Sequence, residues 1–506
     1  MNDRPFDKYL TFGCFLLSGC VYVCLKSRCF HWYLSDENIY YYLARDLSFT
    51  HIPYRDFFYA NPPLLLFLLK MGGVLSGWSV LGLRAVPVLT TVLSGFLLYR
   101  TLVPRLGIWA VLPLWILWFP YLALRASTHA TGVNVVLLFL FLAYAEAWRG
   151  RPIRAGLALG LGLWTKTYAI VAAPGLVVLV WLISKNRQRR STVEFLGTAL
   201  SMGGALALAG TLAGGASFWR MNVAYHLNKP EGARSFADTA AEVASDNPGT
   251  LLVTALTAAF AIWIIVFVKS KAAGKVGNET TLAEEFPDLR ALGVAGAVHC
   301  ATLLLFLSLQ NRVFDFYFLL LLPGLCLGLG ALLGFARAKG PNPWLFLAPS
   351  AIAATLLAMP LIPNKDRPLF QGPVSYWDHE ARNIDRVAEL LPRIAAGEGG
   401  ALSGDSGTAP LLATLSGKKL AGGEADTNAM RFRSGYPNPS EFIRTLEEEE
   451  VEWLLVRVQP AGGGARPVGM FGIQDFWEYA NTKFEKDDAV QLNSKDAVVL
   501  FRRRGE

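Results

Sequence analysis

The chain has 506 residues, of which 53% are hydrophobic and only 17% are charged, and its mean hydropathy is +0.36. Soluble globular proteins carry about 25% charged residues, so this composition excludes an ordinary soluble protein and indicates a polytopic membrane protein. The formal net charge is +8, but the basic residues stand mainly in short turns between apolar runs, where they set membrane topology. No basic face with interleaved aromatic residues is visible, so nucleic acid is not expected as a partner.

Apolar runs of the length needed to cross a bilayer recur from the N-terminus to about residue 362. Each crossing takes about 20 mostly apolar residues, and turn signals separate one run from the next. The first run has no small-residue cleavage site and predicts a retained helix. The sequence thereby predicts about eleven spans, at 9–26, 83–100, 105–121, 132–148, 154–169, 170–184, 195–215, 249–268, 291–308, 315–335 and 343–362.

Basic turns predict which connections face the cytoplasm. Lys and Arg cluster at 149–154 and at 185–190, and the positive-inside tendency places such turns, together with the N-terminus, on the cytoplasmic side. We therefore expect a multi-pass protein of the cell inner membrane with several polar segments on one extracytoplasmic face. By parity these segments are 27–82, 122–131, 216–248, 309–314 and the C-terminal region.

The first of these polar segments, 27–82, carries the adjacent carboxylates Asp36 and Glu37. Side chains of neighbouring residues diverge by about 100° on a helix, so the two carboxylates cannot serve the same function at one site. One would act as a general base or orient a ligand, while the other pairs with a cation or caps a helix. In the structural alternative, Asp36 simply caps a helix that starts near Asn38. The spacing of Ile39 and Leu43 predicts that this helix is amphipathic and lies in the membrane interface.

A second short helix is predicted from Pro62 to Leu75, because Pro favours helix starts and the run is short for a crossing. From Asn364 onward the composition becomes that of a soluble α/β domain. We predict a transmembrane domain at 1–363, with its first extracytoplasmic loop at 27–82, and an extracytoplasmic α/β domain at 364–506. Strands are predicted at 451–458 and 497–501, and helices at 380–396, 440–450 and 474–484.

Three groups of residues resemble motifs of one enzyme family. The first loop contains Asp36-Glu37 followed by Tyr40 and Tyr42, then Pro53-Tyr54-Arg55-Asp56-Phe57 and Pro62-Pro63-Leu64; Leu163 to Tyr168 with Pro174 forms the second group, and Arg312, Tyr317 and Pro323 the third. Over residues 9–335 the chain resembles polytopic glycosyltransferases of the GT-C type, in the bacterial branch related to protein O-mannosyltransferases and to the aminoarabinose transferase of lipid A.

The resemblance implies a GT-C-like fold and an inverting transfer of a sugar from a polyprenyl-phosphate donor. The acceptor would be an envelope glycan, a lipid or a protein on the extracytoplasmic face. By its match to the family's first-loop Asp, Asp36 would be the general base and Glu37 its orienting neighbour. Lys166 and Arg312 would stabilise the charge on the leaving lipid phosphate. Their structural alternative is snorkelling of a long basic side chain at the membrane edge.

The remaining candidate residues would contact substrate. Asp56 is expected to position the acceptor or to pair with Arg55, and Tyr40 and Tyr317 are expected to bind substrate. Many relatives carry an acid at the turn where this chain has His129, which is then a candidate substrate contact or metal ligand, although a single histidine without a second ligand at metal-binding spacing is usually not a metal ligand. No cofactor is expected, although a diphosphate donor would call for a divalent metal, whereas Lys and Arg can handle a monophosphate.

Two other classes of protein compete with this interpretation. A transporter or flippase of an amphipathic lipid-linked substrate commonly has repeated halves with broken helices around a midplane site, and the sequence has no such duplication. In a scaffolding membrane subunit, the soluble tail would carry the function and the first loop would be only an interface. Substitution of Asp36 would then abolish no reaction.

Overall fold

The computed structural model describes residues 5–27, 29–126, 129–230, 235–247, 254, 286–338, 382–397, 400–461, 464–493 and 496–505. The chain forms two compact units that interleave along the sequence. The first unit contains Met1–Cys29, Pro87–Leu206 and Gly232–Pro373. The second contains Phe30–Val86, Ala207–Glu231 and Val374–Glu506. The first extramembrane loop and the C-terminal region therefore belong to one unit, although one segment ends at Val86 and the other begins at Val374.

Helices make up nearly all of the described chain before residue 339. They are α1 (Pro5–Ser27), α2 (Glu37–Asp46), α3 (Leu64–Leu75), α4 (Val80–Leu106), α5 (Val111–Trp118), α6 (Tyr121–Ala126), α7 (Val133–Trp148), α8 (Pro152–Thr165), α9 (Ala173–Ile183), α10 (Gln188–Gly214), α11 (Ala216–Trp219), α12 (Tyr225–Leu227), α13 (Phe236–Asp246), α14 (Pro287–Ser308) and α15 (Leu322–Ala338). Short 3-10 turns precede α5, α9 and α15, and a π-helical turn at Arg220–Ala224 precedes α12.

The predicted spans correspond to helices wherever the structure describes the chain. Five helical stretches are long and apolar enough to cross a membrane, namely Lys8–Ser27, Val80–Trp118, Lys185–Gly214, Pro287–Ser308 and Asp315–Ala338. Shorter apolar helices cover Leu64–Leu75, Val133–Trp148 and Thr167–Ile183. The chain is thus a multi-pass membrane protein, while the count of about eleven spans stays a prediction. The predicted spans 249–268 and 343–362 lie outside the described residues.

Between α4 and α5 the chain reverses, as the separate spans 83–100 and 105–121 require. Gly107 adopts φ +55°, a left-handed conformation that glycine enters without a steric penalty. The indole Nε1 of Trp118 then donates to the carbonyl of Thr91 at 3.2 Å, and a side chain at Gly95 would overlap the Trp118 ring. The close approach at Gly95 gives this helical hairpin its tight packing.

The C-terminal region folds as the predicted α/β domain around a small sheet. Its strands are β1 (Leu402–Gly404), β2 (Trp453–Ala461), β3 (Gly464–Pro467), β4 (Phe484–Asn493) and β5 (Asp496–Arg503), and its helices are residues 382–388, α16 (Leu391–Ala396), α17 (Ala409–Ser416), α18 (Ala429–Arg433), α19 (Pro439–Glu448) and α20 (Gln474–Lys483). The strand order is β1-β2-β5-β4, with β3 paired to β2. Only β1 and β2 run parallel; the other pairs are antiparallel.

Apolar residues from β2 and the helices α19 and α20 form the core of this domain. Leu454 and Val456 are fully buried, and they share one cluster with Phe442 and Phe476. Helix α19 begins at a capping box in which Asn438 and Glu441 satisfy each other's backbone N–H groups, a pairing that fixes a helix start. The boundary at 363/364 lies outside the described residues and stays a prediction.

Both short helices predicted in the first loop are present, as α2 and α3. Helix α2 is not an exposed interfacial helix, however, because seven of its ten residues are buried. It packs against the C-terminal domain: the Asn38 side chain donates to the carbonyl of Gly407 at 2.7 Å, and the Tyr42 hydroxyl accepts from the N–H of Leu420 at 2.9 Å. Arg45 donates to the carbonyl of Thr414. These contacts hold the candidate acids against that domain.

Candidate functional site

The two adjacent acids of the first loop lie in opposite environments. Glu37 is fully buried and forms an ion pair with Arg84, which is also fully buried. Arg84 donates through Nε to the carbonyl of His31 at 2.6 Å, and its guanidinium lies 3.8 Å from the centroid of the Tyr33 ring. The Tyr41 hydroxyl donates to Glu37 at 3.3 Å. This network occupies Glu37 and fixes the first turn of α2.

Asp36 stands at the N-cap position of α2 and is exposed. Within this described turn its side chain makes no capping hydrogen bond to the helix, so the structural alternative that Asp36 serves as a cap is wrong. Neighbouring acids thus diverge as helix geometry requires. One carboxylate is tied into the protein interior, while the other faces outward from a rigid helix start.

The Tyr225 phenol is influenced electrostatically by Asp36 of the first loop and by residues of the C-terminal domain. The pKa of the Tyr225 phenol is raised chiefly by burial, then by the negative charge of Asp426, and further by Tyr40 and Asp36, while Arg431 lowers it. Its ring packs on Phe58 with 5.3 Å between centroids. Charged groups of the first loop and of the C-terminal domain therefore act on one phenol, which packs against Phe58 of the first loop.

Arg431 is the cation of this cluster and is only 2% exposed. Its Nη1 donates to Glu424 at 2.6 Å and to the carbonyl of Asp426 at 2.7 Å. The guanidinium lies 4.1 Å from the centroid of Phe58, a distance at which a cation is attracted to an aromatic face. Lys229 adds a second cation, with Nζ 5.0 Å from the Tyr225 centroid. We call Asp36, Tyr225, Asp426 and Arg431 the loop–domain cluster.

The second acid motif of the first loop is a local ion pair. Arg55 Nη2 lies 2.8 Å from Asp56 Oδ2, and the N–H of Ile52 donates to the same carboxylate at 2.7 Å. The hydrogen bond from Arg55 is the main reason that the pKa of Asp56 is lowered. Asp56 therefore pairs with Arg55, as one of the two expectations for it required. Tyr40 is half-buried, with its ring 6.1 Å from that of Tyr59.

In the first unit, Lys166 stands where the helical backbone breaks. Its φ of −151° and ψ of 136° are extended, and they separate α8 from the 3-10 turn Thr167–Ala172. The Lys166 side chain is buried, at 7% exposure. Irregular backbone within apolar segments persists where it is enclosed by protein or lines a cavity, and such sites commonly bind ligands. This break lies close to residue 169, where the sequence predicts the boundary between two spans.

The Lys166 segment contacts the segment that carries Tyr317. The rings of Tyr168 and Tyr317 meet edge to face, with 4.8 Å between centroids, and Tyr317 is buried. Arg312 is half-buried in the same late segment, with its guanidinium 5.4 Å from the Phe314 centroid. Two of the three motif groups thus adjoin each other within this unit.

His129 is half-buried in the turn before α7, where its carbonyl accepts from the Asn134 side chain at 3.4 Å. Arg125, in the last turn of α6, pairs with Asp315 at the start of the 3-10 turn that carries Tyr317. Among the described residues, no group of three or more His, Cys, Asp or Glu side chains could hold a metal ion.

Sequence reasoning missed the part of the cluster contributed by the C-terminal domain. It did not select Tyr225, Asp426 or Arg431 as site residues. The short segment Asp426–Arg431 is polar and lies between Gly-rich and Pro-rich turns, a pattern that most surface loops share. Only the fold brings it to the first loop.

Comparison with known proteins identifies the fold. Crystal structures of ArnT from Cupriavidus metallidurans, one bound to undecaprenyl phosphate and one in the apo state, each align with a TM-score of 0.59 and 15% sequence identity, covering 96% of this chain and 97% of that chain. No protein-family model matches the sequence, and no curated protein shows significant sequence similarity. ArnT is a GT-C glycosyltransferase, the lipid A aminoarabinose transferase. The GT-C-like fold predicted from the three motif groups is therefore confirmed.

Proposed function

We propose that this protein is a membrane glycosyltransferase that moves a sugar from a polyprenyl-phosphate donor to an acceptor hydroxyl on the extracytoplasmic face. The ArnT-like fold over 96% of the chain supports the class of enzyme. The ArnT structure bound to undecaprenyl phosphate supports the class of donor. The single observation that carries the assignment of a base is the contrast between buried, ion-paired Glu37 and outward-facing Asp36.

In this proposal Asp36 is the general base. The acceptor oxygen attacks the anomeric carbon as its proton passes to the Asp36 carboxylate. The bond between the anomeric carbon and the phosphate oxygen breaks, and the electron pair leaves with the polyprenyl phosphate. Attack opposite the leaving group inverts the anomeric configuration. General-base catalysis of this kind contributes about 10²- to 10⁴-fold.

Glu37 acts as a positioning residue in this scheme. Its ion pair with Arg84 fixes the start of α2, and the backbone of Asp36 is continuous with that turn. A base held within a few tenths of an ångström of its productive position reacts far faster than a mobile one. Asp56, paired with Arg55, and Tyr40 are assigned to acceptor binding.

Lys166 and Arg312 are assigned to the leaving phosphate, whose charge grows as the glycosidic bond breaks. Buried cations fixed before the reaction stabilise such a charge strongly, and Lys166 is buried at a backbone break. Tyr317, in contact with the Lys166 segment through Tyr168, and His129 are assigned to donor binding. Because these basic side chains can neutralise a monophosphate, we propose a reaction without a metal ion.

A transfer assay tests the base. Membranes that contain the wild-type chain or Asp36→Asn receive radiolabelled prenyl-phosphate sugars, and label in the acceptor fraction is counted. We expect Asp36→Asn to lower the rate about 10²- to 10⁴-fold, while Asp46→Asn, at the other end of α2, serves as the matched control. Full turnover by Asp36→Asn would remove Asp36 as the base, whereas absence of transfer by the wild-type chain would favour the scaffold or flippase alternatives.

The location of the protein is part of the proposal. We propose the inner membrane, with the first loop and the C-terminal domain outside the cytoplasm. Single cysteines placed at Thr50 and at Ser440, both exposed, can be labelled in whole cells or spheroplasts with a membrane-impermeant maleimide. Labelling at both sites supports this topology, and labelling of either only after lysis contradicts it.

A further inference from the structure

The loop–domain cluster contains a buried polar group that the described residues leave unsatisfied. Only 2% of Arg431 is exposed, and its Nε has no hydrogen-bond partner among the described residues. A buried donor without a partner is unfavourable, and native proteins almost always satisfy it with protein, water or ligand. The orphaned Nε therefore points to a partner that the described residues do not supply, such as a ligand.

Tyr225 places a phenol hydroxyl in the same cluster. It is only 4% exposed, and its phenol is influenced electrostatically by Asp426 and Arg431. A phenol hydroxyl both donates and accepts. The apolar side of the ring is packed on Phe58 and on its neighbours in that small cluster, so the hydroxyl is the part of Tyr225 left for a ligand.

Asp426 supplies the third group. Its Oδ1 accepts from the N–H of Asn428 at 3.3 Å, and Arg431 bonds its carbonyl rather than its carboxyl group. Burial raises the pKa of Asp426, against the lowering influence of Arg431. A carboxyl group that retains its proton more readily can donate as well as accept.

The charges of the cluster decide which ligand chemistry fits. Arg431 and Lys229 are balanced by Glu424, Asp426 and Asp36, and Arg431 is already paired with Glu424 at 2.6 Å. With two cations and three carboxyl groups, the region has no excess positive charge to attract a phosphate. Donors and acceptors set among aromatic rings suit a neutral ligand rich in hydroxyl groups.

We propose that Tyr225, Asp426 and Arg431 form a subsite for the hydroxyl groups of a sugar ring, held at the junction of the first loop and the C-terminal domain. The inference rests on the proposed function and deepens it, because it gives the C-terminal domain a share in sugar recognition. The ring belongs either to the transferred sugar or to a glycan acceptor.

Binding of simple glycosides to the purified full-length chain tests the subsite without any need for turnover. The probes are methyl α-D-mannopyranoside, methyl α-D-glucopyranoside and methyl β-D-xylopyranoside, detected by saturation-transfer NMR, with inorganic phosphate as the charged comparison. We expect at least one glycoside to bind, and Tyr225→Phe and Asp426→Asn each to weaken it about five- to tenfold, the effect of one lost hydrogen bond.

Matched controls keep the result interpretable. Tyr479→Phe removes another buried phenol hydroxyl of the C-terminal domain, and Asp487→Asn removes an acid that pairs with Arg393 at 2.9 Å; neither should weaken glycoside binding. The subsite is overturned if no glycoside binds the wild-type chain, if phosphate binds there instead, or if the control variants weaken binding as much as Tyr225→Phe does.

The source of the ring follows from competition. If the subsite holds the transferred sugar, a complete prenyl-phosphate sugar displaces the glycoside, whereas sugar-free prenyl phosphate does not. If it holds a glycan acceptor, the glycoside stays bound beside the complete donor. Failure of the proposed function is separate: in that case the wild-type chain transfers no sugar to the acceptor, whatever Tyr225→Phe does to glycoside binding.

Discussion

Breaking the Glu37–Arg84 ion pair should destabilise the first turn of α2 far more than removing the neighbouring acid. Both partners of the pair are fully buried. In Glu37→Gln the Arg84 guanidinium keeps its hydrogen bond to the carbonyl of His31 and its contact with the Tyr33 ring, but it loses its counter-charge. A buried charge left without its partner costs about 3–5 kcal/mol.

The same change at position 36 provides the matched control. Asp36 is exposed and makes no capping hydrogen bond within the described turn, so Asp36→Asn should change stability by no more than about 0.5 kcal/mol. The double variant Glu37→Gln/Arg84→Gln removes both charges and should recover part of the loss.

Hydrogen exchange of the α2 amides measures this difference. If α2 opens locally, about 3–5 kcal/mol speeds exchange by roughly two to three and a half powers of ten, because each 1.4 kcal/mol is tenfold. We expect this in Glu37→Gln, little change in Asp36→Asn, and an intermediate value in the double variant. Equal protection in Glu37→Gln and Asp36→Asn would refute the assignment of Glu37 as a buried positioning residue.

Three further outcomes are expected. Lys166→Gln should lower kcat/KM for the donor about 10- to 100-fold by removing a fixed cation from the leaving phosphate, while Lys185→Gln, in an exposed turn, should not; equal rates in the two would contradict the role of Lys166. EDTA should leave the transfer rate within about twofold, and a loss that added Mg²⁺ or Mn²⁺ restores would show metal dependence. Burial raises the pKa of Asp426, against the lowering influence of Arg431. The folded state therefore keeps that proton to higher pH than the unfolded chain, and stability falls as pH rises from about 3.9, the usual pKa of Asp, through the folded pKa. Asp426→Asn should therefore melt at a higher temperature than wild type near neutral pH and at the same temperature near pH ~3.9, and equal melting temperatures at neutral pH would contradict this.

The sequence predicted what depends on local pattern. Apolar run length located every described span, because a bilayer crossing leaves a signal about 20 residues long. The helices α2 and α3 and the strands β2 and β5 were found for the same reason, since each carries its own periodicity or turn signal. Strand β1 was missed because three residues are too few to show the alternation of apolar and polar residues that identifies a strand.

The candidate site was only half visible because its other half depends on contacts between distant segments. Glu37 and Arg84 are 47 residues apart, and Asn38 and Gly407 are 369 apart. The sequence suggested that one of two adjacent acids would pair with a cation but not which one, since the cation lies in α4. Likewise Arg431 has the local pattern of an ordinary helical arginine, and only its burial over Phe58 sets it apart.

One measurement tests the central proposal most directly. Purified protein in vesicles receives a prenyl-phosphate sugar labelled with ³H in the sugar and ³²P in the phosphate, together with acceptor-containing membranes. We predict that ³H passes to the acceptor while an equal amount of ³²P remains as free prenyl phosphate, and that Asp36→Asn blocks both. Movement of both labels across the vesicle membrane in one intact molecule, with no prenyl phosphate formed, would instead identify a lipid transporter and contradict the proposed transfer.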